Sequence, residues 1–238
     1  MDIEKLASAG PEVVEAEFGQ LAGTPSKDTK EKYIQYSRIL KEQRLSKNDL
    51  CWRSFLTGYF GQQAGLYSAD KNEQVHLFKQ SLADYQLFQD TGRNNHPDTH
   101  YFAQWQIGSL QYSLRYEWSV AEESYLKAME YEAERGEALR EIIVYQSIQE
   151  NWFVANIYSS YCMRQYLGKT PSKGKWFINT SFYQWKILKY QIPVLLHLGE
   201  NEKAKECARK LFNLTVPNLN PAEIKEINAL KESWGKLL

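Results

Sequence analysis

The chain of 238 residues carries 29 basic and 29 acidic side chains, so no global charge points to nucleic acid or to an acidic partner. Its 43% hydrophobic and 24% charged residues are typical of a soluble globular protein, and only 7 prolines and 13 glycines favour long helices over many short strands. The three cysteines lie far apart without metal-like spacing, which indicates buried thiols in a reducing compartment.

The first residues, 1–5, are amphipathic and acidic and lack the apolar core of a signal peptide. No run of the chain approaches the roughly 20 apolar residues that a membrane-spanning helix needs. We therefore expect a cytoplasmic protein, or a virion protein if the chain is viral, with no membrane partner.

Apolar residues recur at three- and four-residue steps through the first hundred residues, which is the period of an amphipathic helix. This period predicts helices over residues 11–22, 28–46, 49–65 and 71–90. Asp49 is expected to cap the third of these helices, and Pro97 to begin the next one after the loop that starts at Gly92. No segment alternates apolar and polar residues for long enough to predict a strand.

Small residues repeat in the second half of the chain. Ala121 and Ala155 are 34 residues apart, and Ala204 follows after a further 34 residues plus an insert of 15. Each is followed by further residues four and seven positions on, which share its helix face. These followers are Tyr125 and Ala128, then Ser159 and Cys162, then Ala208 and Leu211. Small side chains at these positions let the next helix approach closely.

Upstream of Ala121, the residues Trp105, Gly108, Ser109 and Tyr112 follow the spacing that opens a tetratricopeptide repeat, and 34 residues is its period. We therefore predict an all-α fold of tetratricopeptide-like antiparallel helix pairs, stacked in a right-handed superhelix. The predicted parts are N-terminal helices over 1–48, a repeat domain over 49–218 with its clearest units at 102–135, 136–169 and 185–218, and a capping helix over 219–238 that begins at Asn220-Pro221. The alternative is a bundle of helices without repeats.

Two segments resemble the helical region that follows the nucleotide-sugar domain of many glycosyltransferases. The first is Tyr125–Tyr131 followed by Glu134–Leu139, similar to a helix with an Arg-Ala-Glu-Pro-Leu signature; the second is Trp176–Ile178 followed by Tyr183–Leu188. The resemblance covers about residues 50–215 and implies a helper domain built on packing motifs. The chain departs from the family in having no Asp-x-Asp metal motif or strand–helix alternation, and in having Lys189–Gln191 where the family has carboxylates.

The residues that could carry chemistry have simpler structural interpretations. His96 and His100 have metal-ligand spacing but no third ligand nearby, so we interpret them as part of a helix start. Cys162 lies where the repeat needs a small buried residue. The acidic residues around the turn near position 134 are interpreted as a solvated face: Glu130, Glu132, Glu134, Glu137 and Glu141. We expect no catalysis, no metal and no cofactor, since phosphate-loop, dinucleotide and Gly-x-Ser-x-Gly motifs are also lacking.

The stretch from residue 151 to residue 199 has an unusual charge composition. From Asn151 to Gly199 the sequence has no Asp or Glu, and it contains six cations and eleven aromatic residues. Such a stretch can form a local positive patch, and aromatic residues between cations suit stacking on bases or sugars. The alternative is that the aromatic residues fill the core and the lysines are solvated.

The leading hypothesis is a non-catalytic scaffold that binds a protein or peptide on the concave surface of the repeats, where cations would favour an acidic segment. By spacing, the groove should contain Gln106, Leu110, Arg140, Val144, Lys186 and Lys189, with Lys169, Lys173 and Lys175 on a basic rim. The alternatives are a helper domain in glycosyltransfer or glycan assembly, a structural component of a larger assembly such as a virion, and polyanion binding through residues 151–199. Nucleic acid is not the expected partner.

Overall fold

A computed structural model of the chain describes residues 27–42, 47–91, 97–169, 171, 177–214 and 219–235. Within these ranges the fold is all-α, as predicted, and no β-strand occurs. The helices are α1 (Lys27–Glu42), α2 (Lys47–Leu66), α3 (Lys71–Thr91), α4 (Pro97–Ser113), α5 (Trp118–Tyr131), α6 (Glu137–Ile148), α7 (Trp152–Gln165), α8 (Ile187–His197), α9 (Asn201–Phe212) and α10 (Pro221–Trp234). A π-helical turn, Phe182–Lys186, leads directly into α8. The helix predicted over residues 11–22 lies outside the described ranges.

Among the described residues, one predicted helix start differs from the structure. The helix assigned to Asp49 as its N-cap begins at Lys47, so Asp49 lies inside the first turn of α2. By contrast, α4 begins at Pro97 as predicted. In α10, the Asn220 side chain accepts a hydrogen bond from the backbone N–H of Glu223 at 2.9 Å, and the Glu223 carboxylate accepts one from the backbone N–H of Asn220 at 3.1 Å. This reciprocal pair satisfies two donors at the helix start.

The chain divides into two compact units. The first contains α1 to α5 together with Phe177, and the second contains α6 to α10. In the first unit α2 packs on α3 and α4 on α5; in the second, α6 packs on α7 and α8 on α9. The turns that connect these partners have three or four residues, which span at most about 14 Å. Because the paired helices are roughly 16 Å or longer, these turns are too short to join packed parallel helices, so each pair is antiparallel.

The small residues that repeat in sequence occupy equivalent buried positions. Ala121, Ala155 and Ala204 are each 0% exposed. The residues four and seven positions after each of them are also buried: Tyr125, Ala128, Ser159, Cys162, Ala208 and Leu211. The pattern therefore describes the packed face of α5, α7 and α9.

A fourth helix shows the same arrangement although the sequence analysis did not assign it a repeat. In α3, Ser81, Tyr85 and Phe88 follow the same steps of four and three and are all buried. On α2, Gly61 faces Ser81 so closely that an added Cβ would lie 2.6 Å from the Ser81 Oγ, and Gly58 faces the Tyr85 ring. Gly108 of α4 faces the ring of Tyr125 in the same way, with an added Cβ at 2.7 Å. Glycine thus allows both helix pairs of the first unit to approach closely.

One hydrophobic cluster of the second unit lies between α8, α9 and α10. Trp185, Leu188 and Ile192 pack there against Ala204, Ala208 and Leu211, and α10 contributes Ile227. The π-helical turn has an identifiable cause, because the carbonyl oxygen of Tyr183 accepts a hydrogen bond from the backbone N–H of Gly168 at 2.8 Å. Gly168 has φ +75°, a left-handed conformation that suits glycine, so the segment after α7 joins the start of α8.

Candidate partner-binding surface

Three helices of the second unit bring charged groups together around one phenol. Arg140 of α6 and Lys189 of α8 both act electrostatically on Tyr190, and so do Glu141 and Glu226. Burial is the main reason that the pKa of Tyr190 is raised; the two carboxylates raise it further and the two cations oppose the rise. We call these five residues the Tyr190 cluster. Arg140 and Lys189 therefore both act on the same phenol, although the sequence separates them by more than one repeat.

The two cations of the Tyr190 cluster are each paired with a carboxylate of the same unit. Arg140 is ion-paired with Glu141, the next residue, and Lys189 with Glu226 of α10. All four side chains are partly accessible, with exposed fractions between 23% and 35%. At Lys189, therefore, α10 supplies a compensating carboxylate that the acid-free stretch 151–199 does not contain in sequence.

Two further predicted groove residues lie on the helices that carry this cluster. Val144 follows Arg140 by one turn of α6 and is partly buried. Lys186, the last residue of the π-helical turn, places its Nζ 5.4 Å from the centre of the Trp185 ring. The Lys186 stem is partly buried, as expected for an amphipathic side chain that covers apolar surface.

The remaining predicted groove residues, Gln106 and Leu110, belong to the first unit. Leu110 is 1% exposed, so the prediction that it lines an accessible groove is wrong: its side chain is part of the core. Gln106 accepts a hydrogen bond at 2.7 Å from Nε2 of Gln62, and Oε1 of Gln62 accepts one at 3.2 Å from the Tyr85 hydroxyl. Gln106 therefore ends an internal polar chain that links α2, α3 and α4.

Of the predicted basic rim, only Lys169 is described. Its side chain is exposed, and its Nζ donates a hydrogen bond to the carbonyl oxygen of Arg164 at 3.1 Å. This contact satisfies a carbonyl group at the C-terminus of α7. Lys173 and Lys175 lie outside the described residues.

The interpretation of Glu137 as part of a solvated acidic face is wrong. Arg135 and Glu137 have fully buried side chains and form a two-pronged ion pair, with distances of 3.0 Å from Nη2 to Oε1 and 3.3 Å from Nε to Oε2. The Tyr183 hydroxyl donates to Oε2 of Glu137 at 2.6 Å, and the backbone N–H of Asn179 donates to Oε1 at 3.2 Å. We call Arg135, Glu137, Tyr183 and Asn179 the buried polar network. It joins the start of α6 to the segment that leads into α8.

The contacts around the buried polar network indicate that its role is structural. Burial is the largest cause of the strong rise in the pKa of Tyr183, and the Glu137 charge adds to it, so the phenol keeps its proton and donates. The Tyr183 hydroxyl also accepts a hydrogen bond from the backbone N–H of Gly136 at 3.1 Å. A Cβ on Gly136 would lie 2.5 Å from the ring of Tyr166, so only glycine fits without a shift. Because Arg135 and Glu137 are fully buried, a substrate cannot reach this carboxylate in the described conformation.

The other candidate reactive groups are also buried. His100 is 3% exposed and stacks between Phe88 and Tyr131, with its Nδ1 2.6 Å from Oε1 of Gln89. Burial raises the pKa of Cys162 to about 12, so little thiolate forms at neutral pH. No group of three or more His, Cys, Asp or Glu side chains suited to a metal ion occurs in the part of the chain that the structure describes. His96 lies outside that part.

The sequence-based groove prediction missed Tyr190, Glu226 and Glu141, the last of which was interpreted as part of a solvated acidic face. Tyr190 could have been found, because it follows Lys189 on the same predicted helix. Glu226 could not, because it lies 37 residues from Lys189 and on a helix without any repeat signal. The helices that the structure describes include none long and apolar enough to cross a membrane. No protein-family model, curated protein or solved structure matches the chain.

Proposed function

We propose that this protein is a non-catalytic tetratricopeptide-like scaffold, with antiparallel helix pairs stacked in a right-handed superhelix, that binds a partner protein or peptide. The observation that carries the proposal is a recurring set of three buried residues, which we call the buried triplet. Its second residue follows the first by four positions and its third follows the second by three, and it occurs in α3, α5, α7 and α9. A repeated triplet is what stacked repeats require, because each helix pair can bury its apolar face only against the next pair.

The packing inside the second unit supports this proposal. Helix α8 contacts both α6 and α7, and α9 contacts α8. In a stack of helix pairs, the first helix of each pair lies on both helices of the pair before it, which is the relation that α8 has to α6 and α7. The first helices then line one side of the stack, where α6 and α8 present the Tyr190 cluster.

The Tyr190 cluster has the chemistry of a binding surface for an acidic segment. A guanidinium has five N–H donors and an ammonium has three, so one carboxylate does not use all the donors of Arg140 or Lys189. A partner carboxylate can share Arg140 with Glu141, or replace Glu226 at Lys189. Tyr190 adds an amphipathic ring whose centre lies 5.6 Å from the Lys189 Nζ, and tyrosine and arginine are enriched among residues that dominate binding energy.

The test compares two baits in capture from cells that express the protein natively. Arg140→Ala with Lys189→Ala removes both cations of the Tyr190 cluster. Lys203→Ala with Lys205→Ala is the matched control, because it removes two lysines of α9 that are also ion-paired, to Glu200 and Glu202. We expect a partner that the wild type and the control retain and the cluster variant loses.

The affinity of the captured partner then decides the proposal. At low salt we expect the cluster variant to bind at least about tenfold more weakly than the control, and this difference should shrink as salt screens the charges. Equal binding by both variants would refute the assignment of the surface. Turnover of nucleotide sugars by the purified chain, lost on a point substitution, would refute the non-catalytic function.

A helper function in glycosyltransfer is the second candidate. Both segments that resemble the glycosyltransferase-associated helical region contribute to the buried polar network, Arg135 and Glu137 from one and Tyr183 from the other. This contact supports a shared packing motif. The corresponding test measures the rate of a candidate transferase with and without this chain, and an unchanged rate at saturating concentration would exclude that pairing.

A further inference from the structure

Helix α7 exposes an apolar stripe. Phe153, Ile157 and Tyr161 follow at four-residue steps, so they share one face, and they are 78%, 65% and 39% exposed. The opposite side of the helix carries the buried residues Ala155, Ser159 and Cys162. The only charged residue of α7 is Arg164, in its last turn. An exposed phenylalanine and isoleucine on a helix without other charges form a surface that favours contact with another apolar surface.

The stripe is extended at its edges by Ile148, 64% exposed, and Val154, 37% exposed. If a fully exposed side chain of this size offers roughly 150–250 Å², these five residues present about 500 Å² of apolar surface in each molecule. Covering that area on two molecules buries about 1,000 Å² in total, which is the lower limit for a specific interface. The area therefore fits a reversible complex better than a permanent one.

The charges at the two ends of the stripe are arranged symmetrically about its centre. Arg164, in the last turn of α7, lies seven residues after Ile157; Glu150 lies seven residues before it, in the turn that precedes the first residue of α7, and both side chains are exposed. Phe153 and Tyr161 are likewise four residues before and after Ile157. Among the described residues, neither Glu150 nor Arg164 takes part in an ion pair, whereas four charged residues of α9 pair within that helix, Lys205 with Glu202 and Lys210 with Glu206.

This symmetry identifies the occupant as a second copy of the chain. When two α7 helices lie antiparallel with a two-fold axis at Ile157, each Phe153 faces Tyr161 of the other copy. Each Glu150 then faces Arg164 of the other copy. Two such ion pairs form for every dimer, one at each end of the apolar contact. We propose that the protein forms a reversible homodimer through antiparallel pairing of α7. The stripe contains no member of the Tyr190 cluster, so the proposed dimer does not depend on the partner-binding surface.

The first experiment reverses the charges and measures the dimerisation constant by sedimentation velocity over a range of concentrations. Glu150→Arg places two guanidinium groups together at both ends of the dimer, and Arg164→Glu places two carboxylates together at both ends. We expect each variant alone to dimerise about tenfold more weakly than wild type. In an equimolar mixture of the two variants, the mixed dimer should form in preference to either homodimer. Each homodimer opposes like charges at both ends, whereas the mixed dimer opposes unlike charges at both ends.

The mixed dimer has one end with the substituted residues of both chains and one end with the native residues of both chains. At the first end the introduced arginine faces the introduced glutamate, and at the second the native Arg164 of one copy faces the native Glu150 of the other. Every opposed pair is again of opposite sign, so the mixture should recover the wild-type dimerisation constant.

The second experiment tests the register of the pairing. In a background of Cys51→Ser, which removes the one native cysteine that is not buried, Ile157→Cys should form a disulfide-linked dimer under mild oxidation because position 157 lies on the axis. Phe153→Cys alone should cross-link much less, and a mixture of Phe153→Cys and Tyr161→Cys should cross-link well. Disulfides require Cα atoms about 4.4–6.8 Å apart, so they discriminate between these pairs.

Ile157→Asp should abolish the dimer, because it places two carboxylates at the axis. Circular dichroism of Ile157→Asp should match wild type, since the side chain is exposed in the monomer. A wild-type protein that stays monomeric up to millimolar concentration would overturn the proposal. So would a dimer that the charge reversals leave unchanged, or one in which Phe153→Cys cross-links alone as fast as Ile157→Cys.

Discussion

The buried polar network permits a quantitative prediction about the start of α6. Replacing Arg135 with alanine removes the cation that is paired with the fully buried Glu137 carboxylate, while the hydrogen bonds from the Tyr183 hydroxyl and the Asn179 N–H remain. Breaking a buried ion pair by removing one partner costs about 3–5 kcal/mol, because an uncompensated charge remains. We expect Arg135→Ala to lower the free energy of unfolding of the second unit by this amount.

Tyr183→Phe should have a smaller effect. It removes one hydrogen bond to a charged acceptor, worth about 1.5–3 kcal/mol, and also the acceptor of the Gly136 N–H. Tyr116→Phe is the matched control, since Tyr116 is 49% exposed and an exposed substitution changes stability by no more than about 0.5 kcal/mol. The expected order of destabilisation is therefore Arg135→Ala, then Tyr183→Phe, then Tyr116→Phe.

Urea unfolding followed by far-ultraviolet circular dichroism measures these differences, and hydrogen exchange of peptides from residues 135–190 locates them in the second unit. Arg135→Ala with Glu137→Ala should cost less than the sum of the single changes, because the double variant no longer buries a lone charge. A cost below about 1 kcal/mol for Arg135→Ala would show that the pair is solvated, and would restore Glu137 as a candidate for surface chemistry.

Three further predictions concern packing and pH. Ala155→Leu should cost about 1–3 kcal/mol by overpacking the buried face of α7, while Val154→Leu on the exposed side should be nearly neutral; equal melting temperatures for the two variants would contradict the assignment of faces. Gly136→Ala should also cost about 1–3 kcal/mol because its Cβ would meet the ring of Tyr166, whereas a fully stable Gly136→Ala would show that this ring can move aside. Burial raises the pKa of Cys162 from 9.0 to about 12, so its contribution to stability is intact below pH 9 and is lost as the pH rises toward 12. The urea midpoint of wild type should therefore fall more steeply between pH 9 and pH 12 than the midpoint of Cys162→Ala. Parallel curves for the two proteins would refute the burial of the Cys162 thiol.

The sequence predicted the helices and the buried triplets because both depend on local spacing. Periods of three and four residues fix which side chains share a helix face, so Ala121, Ala155 and Ala204 could be identified without knowledge of the rest of the chain. The equivalent triplet in α3 was missed because Ser81 and Phe88 do not match the residue types of the repeat pattern. Its partners on α2, Gly58 and Gly61, were the available signal, since glycines three residues apart on a long helix indicate close helix packing.

The candidate site was less predictable because the ion-pair partners of its charged residues are set by the tertiary fold and can lie far away in the sequence. Lys189 lies in a stretch without acids, yet Glu226 of α10 is its ion-pair partner. Glu137 is surrounded in sequence by other acids, which is typical of a solvated face, yet Arg135 two residues away and Tyr183 from a distant segment bury it completely. Leu110 was assigned to a groove by helical spacing, but spacing alone cannot tell which side of a helix a further helix will cover.

The most direct test of the scaffold function is site-specific photo-crosslinking in living cells. A photoreactive phenylalanine analogue is placed at Tyr190 of the Tyr190 cluster, and in a parallel sample at Tyr116, an exposed tyrosine of the first unit. We predict that position 190 cross-links to one protein partner, and that Arg140→Ala with Lys189→Ala abolishes this product while position 116 does not form it. Absence of any partner at position 190, or the same product at both positions, would contradict the proposal that the protein works by binding through this surface.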